Sequence, residues 1–323
     1  MIDTAEGYGR GNSEIQLGKT LKELGVDRKK LVIVTKTHNR DPKTWRERLQ
    51  ASLQRMQIDY VDLYYMHGLG DAGDSDPGVH NSEAVREAVA DLKNRGMMKH
   101  FGFSSHCGSP DFMHDLCAKA AEGGHVEVCM LKYNFRDYQN EKFSADLDVL
   151  TKAGIGVVAM KTQGGASAAP DRVKPFISED FNQYQAAVRW ALADQRISTV
   201  CSAMRNVDQV KENAAAAKSP MMSRSELQSL YMYALATHGD FCQLCDECTK
   251  VCPAHVAIPS IMRYQMYAEN YAMPEVGFEH YLALESTQRA NACVGGTCDL
   301  CEAACPYDVR IRSRLKRARE VFA

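Results

Sequence analysis

Eight of the twelve cysteines in this 323-residue sequence fall between positions 242 and 305, in two runs: Cys242, Cys245, Cys248 and Cys252, then Cys293, Cys298, Cys301 and Cys305. Separations of two to four residues let several thiolates turn toward one centre, which is the spacing of metal ligands. Disulfides are the alternative, but a large chain with its own core and no secretory leader does not need such staples. The remaining residues that could do chemistry are dispersed. Asp3 and Tyr8, Lys36, His67, Ser104 and Ser105, Tyr133 and Asn134, Lys161 and Gly164, and Arg205 and Asn206 each follow a short apolar run. One at a time they are ordinary, because such side chains at strand ends are more often solvated or structural than catalytic.

The runs ahead of those residues set the architecture. "LVIVT" (31–35), "VDLYYM" (61–66), "FGFSS" (101–105), "VEVCML" (126–131), "IGVVAM" (155–160) and "STVCSA" (198–203) are nearly continuous in apolar character, as strands buried on both faces of a parallel sheet must be. Amphipathic stretches fit between them. "SEIQLGKTLKELG" opens at Ser13 with an acid in its first turn and stops at Gly25, and similar helices fit near 43–55, 81–95, 109–120, 141–152, 181–193 and 206–217. A doubly wound sheet and a (β/α)8 barrel both use this alternation. Polar and glycine residues after strand upon strand favour the barrel, which gathers every strand end into one bowl. An open sheet concentrates its site at one switch point and usually supplies an early G-x-G-x-x-G, which this chain lacks.

After about residue 218 the strand pattern stops. The expected division is a barrel over 1–217, a connecting helix over 218–240 and a small, mainly α-helical module over 241–323. No internal repeat beyond the strand–helix period is evident. Apolar residues make up 45% and charged residues 25% of the chain, the balance of a soluble globular protein. A formal charge of −2 gives no reason to expect nucleic acid as a partner. No apolar run approaches the roughly 18 residues of a membrane span, and no basic region followed by an apolar one opens the chain. A cytoplasmic location is expected. The tail "RIRSRLKRARE" carries six basic residues in eleven; it reads as a solvated helix face, with a docking patch for an acidic redox partner as the sharper alternative.

Taken together and in order, "IDTAEGYG" (2–9), "VTKTH" (34–38) and "DLYYMHG" (62–68) resemble the aldo-keto reductase superfamily, and the resemblance runs from residue 1 to about 217. It implies NADPH-dependent reduction of an aldehyde, ketone or sugar-like carbonyl. Tyr8 would be the proton donor, Lys36 would stabilise the phenolate left behind, Asp3 would hold Lys36 charged and in place, and His67 would orient the carbonyl. The logic is that hydride addition creates an alkoxide, which needs a proton donor within reach and a positive field nearby. A phenol with a pKa near 10 is a poor acid at neutral pH unless an ammonium stands beside it.

The cofactor segments resemble the family's with departures. "GFSSH" (102–106) is similar to the loop that holds the nicotinamide carboxamide, with Ser104 retained and Ser105 in the place of an Asn. "MLKYN" (130–134) has Met130 where a carboxamide-binding Gln is usual, and "VAMKTQGG" (158–165) has Met160 in the place of the Tyr that stacks on the nicotinamide, followed by Lys161 and Gly164. A branch of the superfamily that carries iron–sulfur clusters has similar "MK…GG" segments. "SAMRNVDQVKENAAAA" (202–217) resembles the adenosine segment, in which a strand end bearing Ser202 is followed at once by a helix facing the 2′-phosphate. Arg205 would pair with that phosphate, and Gln209 and Asn213 would lie over the adenosine. A salt-bridged surface helix is the plain alternative.

"CQLCDECTKVCP" (242–253) has the C-x2-C-x2-C-x3-C-P spacing of bacterial ferredoxins, and "CVGGTCDLCEAACP" (293–306) repeats it with a lengthened first gap. Two such runs imply two [4Fe–4S] clusters, the fourth cysteine of each run completing the other's cluster. The expected sets are Cys242, Cys245, Cys248 and Cys305 on one, and Cys293, Cys298, Cys301 and Cys252 on the other. Zinc is the alternative, though its four-cysteine sites usually pair two C-x2-C knuckles. The spacer 256–290 is too long and too helical for a compact βαβ ferredoxin.

An oxidoreductase with attached clusters is therefore expected, acting on a small carbonyl substrate. The other reading is an iron–sulfur electron-transfer protein whose barrel is a catalytic relic, and in either case a redox partner protein could use the clusters. Because "IDTAEGYG" follows the second barrel strand in the family, the resemblance further implies a chain truncated at its N-terminus, lacking the first strand and helix and nearly all of the second strand. Any export signal would have been lost with the same segment.

Overall fold

The computed structural model describes all of the chain except residues 71–75, 138–139, 166–170, 172–173, 179 and 294–297. No helix among the described residues is long and apolar enough to cross a membrane. The chain divides into two compact units: Met1–Lys132 with Asn140–Met160 and Gln195–Cys201, and Tyr133–Gln139 with Lys161–Asp194 and Ser202–Ala323.

The first unit holds one parallel sheet in sequential order: β1 (Ile2–Asp3), β2 (Ile33–Thr37), β3 (Val61–Met66), β4 (Met98–Ser105), β5 (Val128–Lys132), β6 (Gly156–Met160) and β7 (Ile197–Cys201). Its connections carry α1 (Asn12–Leu24), α2 (Trp45–Met56), α3 (Glu83–Asn94), α4 (Pro110–Gly123) and α5 (Glu141–Lys152). Parallel strands wound in order with helical crossovers are the winding of a (β/α)8 barrel, with seven strands among the described residues. The helices start where the sequence offers oxygen acceptors to orphan amides. Ser82 accepts from Val85 N, Ser109 from Phe112 N and Asn140 from Phe143 N, each cap contributing about 1 kcal/mol.

Register decides which residues face the interior. Asp3 pairs with Val34, Lys36 with Tyr65, and Ser104 with Met130. Val34, Leu63, Tyr65, Met130, Val158 and Met160 form one buried apolar cluster. Alternation along each strand then turns Lys36, two beyond Val34, and His67, two beyond Tyr65, to that same face at its carboxyl end. Trp45, Leu49 and Met56 of α2 are fully buried, and the Trp45 ring meets the Tyr64 ring edge-on at 6.2 Å, so the outer face of β3 packs under its helix. At the opposite ends of the strands Asp62 accepts from Arg28 (2.7 Å), the Ile33 amide (2.9 Å) and Lys99 (2.8 Å). Strands β4 and β5 approach so closely that a Cβ on Gly102 would stand 1.8 Å from the Val128 carbonyl oxygen.

In the second unit α6 (Gln183–Ala193), α7 (Val207–Lys218) and α8 (Arg224–Ala236) are followed by the cysteine-rich helices α9 (Glu247–Lys250), α10 (Ile258–Gln265), α11 (Pro274–Ala283), α12 (Leu300–Ala303) and α13 (Ile311–Val321). A π-turn over Met266–Asn270 prolongs α10. Ala186, Ala187, Leu230, Tyr233 and Phe135 build one small core. Val256, Ile258, Ile261, Val309, Ile311 and Leu315 build another together with Cys248 and Cys301, and Cys242, Cys252, Cys293 and Cys305 pack against it.

Candidate functional site

Lys36 is 1% exposed. Its ammonium donates to Asp3 Oδ2 at 2.6 Å and to the Thr4 carbonyl at 2.8 Å, and it stands 3.4 Å from the Tyr8 hydroxyl. A buried ammonium is tolerable only with such partners. Segment 3–8 is laid along β2 by Thr4 N to the Val34 carbonyl (2.9 Å) and Glu6 N to the Lys36 carbonyl (3.3 Å). A turn closed by Tyr8 N on the Ala5 carbonyl at 3.0 Å then swings Tyr8 over the strand ends, where it is 41% exposed. Its ring meets His67 edge-on at 5.6 Å. Burial pushes the Asp3 carboxyl up, against the pull of Lys36, and its Oδ1 has no hydrogen-bond partner among the described residues. The structure thus brings Asp3, Tyr8, Lys36 and His67 together. It adds His38, whose ring stacks on His67 at 3.9 Å; it stands within the quoted "VTKTH", two after the lysine, and its position became meaningful only through the register of β2 and β3.

Ser104 and Ser105 are buried and engaged with the turn after β3. Ser104 Oγ accepts from Gly68 N at 3.1 Å, and Ser105 Oγ donates to the Leu69 carbonyl at 2.6 Å. Met130 and Met160 sit in the apolar interior cluster.

Lys161, Gly164, Ser202, Arg205, Gln209 and Asn213 belong to the second unit. There Thr162 and Ser202 share a hydrogen bond of 3.0 Å, Gln163 donates to Asn213 at 3.2 Å, and the Arg205 amide donates to Gln209 Oε1 at 2.8 Å. Asn206 caps α7 by accepting from Gln209 N. Gly164 and Gly165 take left-handed φ values of 56° and 66°. A Cβ on Gly165 would fall 2.1 Å from the Phe241 ring, so only glycine fits beside the residue that precedes Cys242. Arg136 donates to the Gly164 carbonyl at 3.1 Å and to Thr237 Oγ1 at 2.9 Å while lying over the Phe135 and Phe241 rings. Burial pulls its guanidinium down to about 10.

The cysteines line two separate cavities. Cys242, Cys245, Cys248 and Cys305 surround one, with Ile258, Val309 and Ile311 as walls. Cys252, Cys293, Cys298 and Cys301 surround the other, against Pro253, Leu300 and Leu315. Four soft thiols around an apolar bowl suit an iron–sulfur centre, and among the described residues no three Cys, His, Asp or Glu side chains close on a position for a single ion. Burial pushes the Cys248 thiol up to about 12 and the Cys301 thiol up to about 11; a cationic centre is what makes such groups thiolates. Left-handed Leu244 and Asp246 curl the first run inward, and Leu244 N donates to Cys242 Sγ at 3.4 Å. The lengthened gap at 294–297 lies outside the described residues.

A short repeat, not apparent from the ligand spacing, builds both bowls. Cys-Pro-x-x-Val-x-Ile occurs at 252–258 and again at 305–311. In each copy the fourth residue, His255 or Asp308, is left-handed at φ 51° or 49°, and its amide returns to the carbonyl of Cys252 or Cys305. The buried Val and Ile then seat α10 or α13 in the shared core. The signal was present in the sequence, but three of its four fixed positions are proline, valine and isoleucine and escape a search for ligands.

Residues 241–310 match the 4Fe-4S dicluster domain, and residues 1–175 match the aldo/keto reductase family. The L-galactose dehydrogenase of Arabidopsis thaliana is 29% identical over 255 residues, covering 72% of this chain and 75% of that one. Among solved structures, the holo form of an aldo-keto reductase from Bacillus halodurans superposes with a TM-score of 0.56 at 23% identity, over 72% of this chain and 81% of that one. An aldo-keto reductase from Klebsiella pneumoniae in complex with NADPH superposes with a TM-score of 0.54 at 22% identity, over 71% and 78%. Since the family match spans more than half of its length, the chain belongs to the aldo/keto reductase family, and it carries a C-terminal 4Fe-4S dicluster domain as well.

Proposed function

We propose that the protein reduces an aldehyde, ketone or sugar-like carbonyl with NADPH, using a barrel over 1–217, joined by a helical connection over 218–240 to a two-cluster module over 241–323. The observation that carries this reading is the buried Lys36 ammonium held by Asp3 and Thr4 within 3.4 Å of an exposed phenol, Tyr8. Bound NADPH supplies a hydride to the carbonyl carbon. Tyr8 gives its proton to the oxygen, which becomes the hydroxyl of the product, and Lys36 stabilises the phenolate that remains. His67, braced by the His38 ring and with its carbonyl bonded by Arg40 at 2.9 Å, orients the substrate oxygen. On the nucleotide side, the Arg205 guanidinium suits a 2′-phosphate, which favours NADPH over NADH.

Cys242, Cys245, Cys248 and Cys305 would hold one [4Fe–4S] cluster, and Cys252, Cys293, Cys298 and Cys301 the other. A cluster takes one electron at a time while hydride carries two. The clusters therefore serve structure or a redox partner rather than the hydride step.

The test is Tyr8→Phe, assayed anaerobically by NADPH oxidation against a panel of aldehydes, ketones and aldoses. Turnover should fall about 10²- to 10³-fold with NADPH affinity unchanged. Undiminished turnover would sink the proton-donor role. A wild type that turns over no carbonyl, with its clusters intact, would favour the electron-transfer reading.

A further inference from the structure

The segment between the two cysteine runs does more than link them. Tyr267 and Tyr271 both approach the Lys161 ammonium, which lies 5.7 and 5.4 Å from their ring centroids. Lys161 has φ 56°, a left-handed conformation that is costly for a side chain with a Cβ, and two aromatic faces are a means of keeping it there. Burial pushes the Tyr271 phenol up to about 12, so the ring stays neutral beside the ammonium. Next to it Asn270 Nδ2 donates to the Gly165 carbonyl at 3.0 Å, a second tie on the left-handed Gly164–Gly165 turn beside the chain's own bond from Gly164 N to the Lys161 carbonyl at 2.8 Å. One residue past Tyr271, the Ala272 carbonyl accepts from Arg205 Nη1 at 2.8 Å. That contact engages one donor of a five-donor fork and orients the guanidinium while leaving the rest of it available to an anion. The segment begins in the π-helical stretch Met266–Asn270, a distortion frequent where a helix is shaped for a site.

From these contacts we infer that residues 267–272 of the dicluster domain are positioning residues of the nucleotide subsite: they hold Lys161, the Gly164–Gly165 turn and Arg205 in place for the anionic part of the cofactor. This rests on the NADPH reading above. It makes the iron–sulfur domain a structural part of dinucleotide binding without any electron passing between them, and by linkage a bound nucleotide stabilises the segment in return.

The experiment is an anaerobic titration of the cluster-loaded full chain with NADPH, followed by nucleotide fluorescence, with iron and sulfide measured on the same samples. Tyr267→Leu/Tyr271→Leu should raise the NADPH dissociation constant about tenfold, and Tyr267→Phe/Tyr271→Phe, which keeps both ring faces, should restore it. Arg205→Ala is the reference for the cofactor reading. Weakened binding in Arg205→Ala with unchanged binding in the Leu pair overturns the inference and leaves the NADPH reading standing. A wild type that does not bind NADPH overturns both. If the Leu pair loses iron, Asn270→Ala, which removes only the donor to Gly165, decides by the same outcomes.

Discussion

The strand-end group and the cysteine bowls are assembled in opposite ways. Asp3, Tyr8, Lys36 and His67 come from distant positions, meet through parallel register, and are fixed on arrival by the short bonds from Lys36 to Asp3 and Thr4. The cysteines are close in sequence, yet Leu244 N to Cys242 Sγ at 3.4 Å is a weak tie, and burial holds Cys245, Cys248 and Cys301 in their thiol form. The first site is preorganised by the polypeptide. The second depends on its inorganic partner to bind its members together.

The harshest way to break this contrast is to remove iron. Anaerobic chelation should abolish the cooperative melting of the 241–310 helices, and Cys248→Ala should cost about half of the bound iron, read by calorimetry and iron analysis. A dicluster domain that melts at one temperature with and without iron would put both regions on the same footing. A smaller effect is expected from overfilling the sheet. Gly102→Ala drives a Cβ against the Val128 carbonyl and should destabilise the first unit by about 3 kcal/mol, measured by urea unfolding, with iron content unchanged.

The gentlest test uses pH. Burial raises the Asp62 carboxyl, but its bonds from Lys99, the Ile33 amide and Arg28 outweigh that and leave it below the ordinary value. A depressed carboxyl contributes stability that is complete above its unfolded pKa, near 3.9, and is lost as pH falls through the folded value. Thermal stability should therefore decline on acidification below about pH 4, and the decline should be shallower in Asp62→Asn. Equal slopes would show that Asp62 does not tie the strand starts.

The strand β3 was legible to the residue because "VDLYYM" is apolar except for Asp62 and is followed at once by His67 and Gly68. β2 was displaced toward its carboxyl end, to Ile33–Thr37. Lys36 and Thr37 lie inside the strand because Asp3, Thr4 and Glu6 give their polar groups partners, which a run of apolar letters cannot show. The bonds that engage Ser104 and Ser105 with the Gly68–Leu69 turn were equally out of reach, since they join positions more than thirty residues apart.

The sequence by itself determined the strand–helix alternation and the local cysteine spacing, because apolar periodicity and thiol separation act within a few residues along the chain. Only the tertiary structure decided that His38 stacks on His67 and that the rings of Tyr267 and Tyr271 meet the Lys161 ammonium. Those arrangements depend on how one helix or strand is set against another. That setting comes from strand register and from the buried Val and Ile residues that seat α10 and α13, not from any single segment's own preference.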